Sequence, residues 1–330
     1  MRNVLVIGSN SFAGSHFINF LLEKKIKVFG VSRREEINDV YLSYKKNKFI
    51  KNFQFHKINL NKLNDLKYLI KIIKRKNIQY IANFAAQGMV AESWVNPNHW
   101  YFTNVVSNSL LVKELTKMNI KKYLNFSTPE VYGDMRVKKK ESNIFNPNTP
   151  YAISRSAQDL NLLAHFKTFN FPAVITRAAN IYGPCQQAYR IVPKSIISGL
   201  KRNKIPIHGK GNSIRSFIFI HDVSKALYKI LFDKNNCGET FHISTNNFIN
   251  VLDLVKLILK IINAKENLIF NVKERDGKDL KYLLDSSNLR KKYNWKDETT
   301  LEQGLVSTCA WIKANFDYLK KISLNYNHIK

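Results

Sequence analysis

The stretch NVLVIGSNSFAGSHFINFLLE, Asn3 to Glu23, decides the fold. Asn3–Gly8 is a continuous apolar run, the pattern of a parallel strand covered on both faces. Helical periodicity follows from Ser11 onward. Between them lies Gly8-x-x-Ser11-x-x-Gly14, with Ser11 in place of a middle glycine. A strand-to-helix junction of this kind offers backbone N–H groups at a helix N-terminus, where a dinucleotide pyrophosphate binds. Two glycines alone also mark ordinary turns; the strand before and the helix after supply the context the motif requires.

The alternation continues downstream. KVFGVS (27–32), FQFHKINL (53–60), IQYIANFAA (78–86), KKYLNFST (121–128) and PAVITRAAN (172–180) read as strands. LNDLKYLIKIIKRKN (63–77), FTNVVSNSLLVKELTKMN (102–119) and YAISRSAQDLNLLAHFKTF (151–169) read as helices. Residues 33–53, basic and aromatic, read as a loop with a short helix. This order predicts an α/β fold, a doubly wound parallel sheet of Rossmann-like type. Beyond residue 179 the pattern loosens into a smaller mixed α/β lobe, with helices at 191–204, 251–263 and 301–319. RSFIFIHDVSKALYKILF (215–232) reads as a strand feeding a helix and TFHIST (240–245) as a strand. The expected division is 1–178 with 216–245 for the dinucleotide domain, and 179–215 with 246–330 for the substrate lobe.

The 330 residues are 45% hydrophobic, enough for a large core. Cys185, Cys237 and Cys309 are scattered, odd in number and form no CxxC pair, which suits a reducing, cytoplasmic setting. Neither a signal peptide nor a membrane helix is expected. Lys and Arg number 53 against 24 Asp and Glu. The basic residues are spread along the chain rather than gathered in one arm, so nucleic acid is not the expected partner. A positive field also draws in small anionic substrates. No His, Cys or Asp cluster has metal-ligand spacing, so no metal is expected.

The corner after the second strand reads Gly30-Val-Ser-Arg-Arg-Glu-Glu36. A site for NAD places a carboxylate there, on the ribose 2′-OH. Here Arg33 and Arg34 occupy it, and guanidinium groups bind a 2′-phosphate in bidentate fashion. NADP is therefore expected; the alternative is that Glu35 or Glu36 reaches back.

Ser127-Thr-Pro-Glu-Val-Tyr-Gly133 follows a buried strand, and Tyr151-Ala-Ile-Ser-Arg155 opens the next helix. Positions four apart share a helix face. A free Tyr, with a pKa near 10, is a poor base at neutral pH. A fixed cation beside it favours the phenolate and couples proton loss to oxidation of a carbinol.

With these motifs stand NFAAQGMVAES, RAANIYGP, IVPKSI, GKGNSIRSFIFIHDVSKAL and YNWKDETTLEQGL. Over nearly its whole length the chain resembles the extended short-chain dehydrogenase/reductases, in the nucleotide-sugar 4,6-dehydratase group. It is most similar to the dTDP-glucose branch, and at the cofactor corner to the GDP-mannose branch. The resemblance implies a lyase that oxidises a nucleotide-diphosphate sugar at C4, eliminates water across C5 and C6, and returns hydride to C6. It assigns Tyr151 as the C4 base, Thr128 as the O4 contact and Glu130 as the C5 base. Arg155 stands where the family has Lys, and Pro129 where the dTDP-glucose branch has an acid for the leaving hydroxyl. Expected cofactor contacts are Gly8, Ser11, Phe12, Ala13 and Gly14, with Arg33, Arg34, Asn59 and Leu60, and with Ala85, Ala86, Gln87, Asn104, Tyr151 and Arg155. Expected substrate contacts are Gln87, Ser93, Thr128, Asn180, Arg190, Arg215 and Arg275. His221 is expected to be structural. The resemblance further implies a homodimer through helices near 103–118 and 151–168. Pro129 and Arg155 keep a second reading open: an epimerase, decarboxylase or 4-keto-reductase of the same superfamily.

Overall fold

The computed structural model describes residues 2–135, 137–274 and 281–328. The first lobe alternates β1 (Asn3–Ile7), α1 (Phe12–Glu23), β2 (Lys27–Ser32), β3 (Phe53–Lys57), α2 (Leu63–Arg75), β4 (Tyr80–Asn83), α3 (Pro97–Tyr101), α4 (Asn108–Thr116), β5 (Lys122–Ser127), α5 (Pro150–Phe169) and β6 (Ala173–Ala178). There follow β7 (Asn180–Tyr182), α6 (Ile191–Leu200), β8 (Ile205–His208), β9 (Ile214–Arg215), β10 (Phe217–Phe219), α7 (Ile220–Phe232) and β11 (Thr240–Ile243). The last elements are β12 (Ile249–Asn250), α8 (Val251–Ile261), β13 (Ile269–Val272), α9 (Ser287–Tyr293), α10 (Leu301–Ala314) and α11 (Phe316–Leu319).

The main sheet has seven described strands in the order β11-β6-β5-β4-β1-β2-β3, all parallel. Two apolar layers cover it, as a parallel sheet requires. On one face Phe17, Ile18 and Leu21 of α1 meet Val223, Leu227 and Ile230 of α7. On the other, Leu66, Leu69 and Ile73 of α2 meet Leu111 and Leu115 of α4 and Leu162 of α5. All are essentially solvent-free, so a Leu→Ala change in either layer costs about 2–5 kcal/mol. Short pairs build the rest: β7 with β10, β9 with β12, and β8 with β13. A separate core joins α6, α8 and α10 through Val192, Ile196, Leu254, Ile258 and Leu305. Among the described residues no helix is long and apolar enough to cross a membrane.

Three local expectations change. Residues 33–53 hold three single 3-10 turns rather than one short helix. The helix expected over 102–119 begins as a π-turn, Phe102–Ser107, before α4. There the Asn108 amide donates to the Thr103 carbonyl and the Asn104 amide turns inward, so side chains pull the ladder into the wider winding. The last helix breaks at Asn315, whose side chain donates to the Trp311 carbonyl.

Candidate active site

Parallel strands put the carboxyl ends of β1, β2, β4 and β5 along one edge, and the expected residues stand in the loops that leave it. Gly8 has φ +83°, and a Cβ there would lie 2.7 Å from the Ala85 nitrogen. A Cβ on Gly14 would lie 2.4 Å from the Gly8 carbonyl oxygen. The loop is closed so tightly that only backbone fits. Ser11 turns its hydroxyl inward, donating to the Gly8 carbonyl at 2.7 Å and accepting the Gly14 N–H at 3.0 Å. It caps α1, which is why serine serves where a middle glycine is usual. The Phe12 and Ala13 N–H groups head the helix without an intrahelical acceptor. This cradle fits a dinucleotide pyrophosphate.

At the ribose corner Ser32 Oγ accepts the Asn10 N–H at 3.1 Å. Both nearby carboxylates are engaged elsewhere. Glu35 pairs with Lys57 at 3.1 Å; Glu36 accepts from Tyr44 at 2.7 Å and Lys45 at 2.9 Å. Arg33 is half-buried and lines a cavity of about 240 Å³ with Asn61, Gln87, His99 and Phe102. Burial and the neighbouring Arg34 pull its pKa down from the usual range. Arg34 itself is exposed.

The other cofactor-side residues are held by their own chain. Asn59 donates its N–H to Asp65 at 2.8 Å, and Leu60 packs on the α2 layer. Asn83 Oδ1 accepts the Ala85 N–H at 3.1 Å, and Ala86 follows in the same loop. Asn104 is wholly buried, accepting the Gln87 N–H at 2.7 Å and donating to the Gln87 carbonyl and Ser154 Oγ. Its amide positions the Gln87 loop against α5. Ser93 is likewise buried, donating to the Val90 carbonyl at 2.6 Å.

The β5 strand delivers the chemistry. Thr128 caps a single turn, Pro129–Tyr132, and its Oγ1 accepts the Glu130 N–H at 3.5 Å. Pro129 takes the first position of that turn, where its missing N–H is no loss. Thr149 and Pro150 start α5 in the same way, so Tyr151 enters at the first turn, partly buried. Its phenol comes within the influence of Thr128 and Glu130. Its pKa is raised, first by burial and then by the Glu130 charge; Arg155, Thr128 and Arg190 pull the other way. The cation expected to favour the phenolate is present but outweighed. Arg155 lies buried with its guanidinium donating to the Phe126 carbonyl, and its Nε has no acceptor among the described atoms.

On the substrate side, Asn180 opens β7, donating its N–H to the Ser216 carbonyl. Arg190 stands at the N-cap position of α6 without a side-chain cap, its guanidinium 5.4 Å from the Tyr189 ring centre. Arg215 is buried, 4.1 Å over the Tyr282 ring, with Nη1 donating to the Ile214 carbonyl. Arg275 lies outside the described residues. His221 is exposed, edge-on to Phe20.

Sequence reasoning missed the support beneath this turn. Arg177 and Asp159 form a fully buried ion pair. Asp159 also accepts from Ser127 Oγ at 2.8 Å, and Arg177 donates to the Tyr132 hydroxyl and the Ser142 carbonyl. The visible signal was polar residues inside otherwise apolar strands: Asn83, Asn125 and Arg177.

The GDP-mannose 4,6 dehydratase family model matches residues 5–308. The dTDP-D-glucose 4,6-dehydratase of Homo sapiens is 30% identical, over 97% of this chain and 93% of that one. A crystal structure of dTDP-glucose 4,6-dehydratase from Bacillus anthracis, in complex with NAD, superposes with a TM-score of 0.86 and 27% identity, over 96% of this chain and 98% of that one. A UDP-glucose 4-epimerase from Thermotoga maritima, solved with UDP-glucose, superposes with a TM-score of 0.84 and 26% identity, over 95% and 99%.

Proposed function

The chain belongs to the GDP-mannose 4,6 dehydratase family of extended short-chain dehydrogenase/reductases, the nucleotide-sugar 4,6-dehydratases, and from that premise we propose how its own residues divide the work. The Gly8–Gly14 cradle would hold the pyrophosphate of a nicotinamide dinucleotide. Bound there, its ring supplies the hydride acceptor and donor of a cycle with no net redox change. Thr128 holds the sugar O4 and Tyr151 takes its proton as C4 is oxidised. The C5 hydrogen is then acidic, and Glu130 removes it. With Pro129 in place of a separate acid, Glu130 passes that proton to the departing C6 hydroxyl, which leaves as water. Tyr151 releases the O4 proton to solvent, and the ionised Glu130 takes a proton up from solvent and delivers it to C5, so the net loss is one water. Asn180, Arg190 and Arg215 hold the nucleotide diphosphate, the usual partner of guanidinium groups. The observation that carries this reading is the convergence on one point: the Thr128–Glu130 turn after β5 packs against α5, whose first turn carries Tyr151, and Glu130 and Thr128 both act on its phenol.

NADP is the proposed form of the cofactor, although the Bacillus anthracis relative carries NAD. Supporting this, the Glu35 and Glu36 carboxylates are held by Lys57, Tyr44 and Lys45, leaving Arg33 and Arg34 at the corner. Removing a bidentate charged partner costs about 1.5–3 kcal/mol, so Arg33→Ala weakens NADP binding by roughly 10- to 100-fold and spares NAD. A homodimer is also proposed. Exposed Phe102, Val106 and Leu110, with Ile153 and Leu160 of α5, form the apolar surface that supports it. Cys185, Cys237 and Cys309 stand unpaired, in keeping with a reducing, cytoplasmic setting.

The test is incubation with NADP and UDP-, dTDP-, GDP- and CDP-sugars, followed by mass. Loss of one water from a single sugar nucleotide is expected. Unchanged masses with cofactor bound overturn the reading. Pro129 and Arg155 favour the alternative, epimerisation or 4-keto reduction; net NADPH consumption, or a new isomer of unchanged mass, marks it.

A further inference from the structure

Past α11 the chain packs Ile322 and Leu324 on the α6–α8–α10 core and then leaves it. Asn325 accepts from Lys194 of α6 at 3.5 Å. Tyr326 sets its ring edge-on to Tyr189, 5.1 Å between centres, and its hydroxyl lies within the fields of Arg33 and Arg190. His328 crosses to the first lobe. Its ring stacks on Trp100 at 4.9 Å and 14° and beside His99 at 5.2 Å and 12°. Its two nitrogens engage His99 Nδ1 at 2.9 Å and Gln87 Nε2 at 3.1 Å. Four residues thus run from the start of α6 to the loop after β4, across the cleft between the lobes.

We propose that Asn325–His328 is a built-in competitor for the nucleotide cleft, a strap that ligand must displace. The inference rests on the functional reading above in one respect: that Arg33, Gln87 and Arg190 face cofactor and substrate. Those are the side chains the strap engages or approaches. Beside the residues the strap engages, Arg33, Gln87 and His99 line a cavity of about 240 Å³. The contacts just named are hydrogen bonds and ring stackings, and among the described residues 325–328 none joins an apolar core cluster. Such a contact is weak enough to exchange with a ligand that offers a diphosphate to the same arginines. A site available only part of the time binds with an apparent Kd raised by the inverse of that fraction.

The experiment compares the full chain with a form lacking residues from 325 onward and with the Tyr326→Ala/His328→Ala double variant. Calorimetry with NADP, and separately with dTDP, reads affinity; thermal unfolding without ligand checks that each form is folded. A strap seated nine-tenths of the time predicts about tenfold tighter NADP binding in both altered forms. It also predicts that NADP speeds trypsin cleavage at Lys320 and Lys321 of the full chain. Equal affinity across the three folded forms, or weaker binding without the strap, overturns the proposal, the latter marking the segment as part of the ligand site. Failure of NADP to bind any form, with dTDP binding tightened, overturns the NADP reading and leaves the strap standing. Binding of neither probe to any form overturns both.

Discussion

Asp159 Oδ2 lies 2.9 Å from Arg177 Nη2, with both side chains sealed from solvent. Ser127 hangs from the aspartate and Tyr132 from the arginine, so the pair grips the Thr128–Glu130 turn from both ends. Breaking one partner of such a pair strands the other charge. Asp159→Asn is expected to cost about 3–5 kcal/mol in denaturant unfolding. Tyr132→Phe, which removes one hydrogen-bonding hydroxyl, should cost about 1–2 kcal/mol. If Asp159→Asn unfolds at the wild-type midpoint, the pair is not the support described.

Stability should fall in acid through two buried histidines. Burial first, then Arg177, pushes His242 down to about 3; burial pushes His16 down to about 4. Unfolded, both titrate near 6.5. Between those values the unfolded chain binds the extra protons, so stability is full above about pH 6.5 and declines toward pH 3–4. At 1.36 kcal/mol per pKa unit each histidine contributes on the order of a few kcal/mol. His242 faces Tyr132, Glu141, Arg177 and Asp285; the lowered Asp285 pKa adds to the slope and the raised Glu141 pKa opposes it. Unfolding midpoints of His242→Gln across this range isolate its share: the variant's curve should be flatter.

Burial first, and then the Glu130 charge, raises the Tyr151 pKa. Glu130→Gln should therefore move the pH dependence of C4 oxidation, followed as cofactor reduction on first mixing, toward lower pH. The same variant should slow water loss by roughly 10²–10⁴-fold, the range of a general acid–base group. A pH profile that stays put would place Glu130 away from the phenol.

Tyr151→Phe should abolish cofactor reduction on mixing with sugar nucleotide, a loss of roughly 10²–10⁴-fold, while calorimetric cofactor affinity holds. Retained reduction would assign the C4 base elsewhere.

Pro129→Asp supplies the separate acid this turn lacks. Water release, followed by mass at timed quenches, should rise about tenfold or more if proton delivery to the C6 hydroxyl limits turnover. An unchanged rate means that Glu130 already delivers it fast enough.

Much of the first lobe was legible in residue order. The run Val4–Ile7, the glycines at 8 and 14 and the alternation of apolar strands with periodic helices are local facts. Gly8 shows why: its positive φ and its contact with Ala85 exclude any side chain, so the requirement is written at that position itself. The corner Ser32–Arg34, the placement of Thr128 and Glu130 after a strand end and that of Tyr151 at a helix start were legible for the same reason.

What the amino-acid sequence alone determined was therefore which residue types stand at which strand ends. What only the tertiary structure decided was which neighbours each one meets. Arg155 lies one helical turn from Tyr151, yet the Phe126 carbonyl holds its guanidinium and burial outweighs its charge. Glu35 and Glu36 leave the ribose corner because Lys57, Tyr44 and Lys45 come to them. Asp159 finds Arg177, and His328 finds Gln87, across 18 and 241 residues of chain. Periodicity reports the burial of a face; charge pairing and hydrogen bonding depend on distance through space, which folding sets.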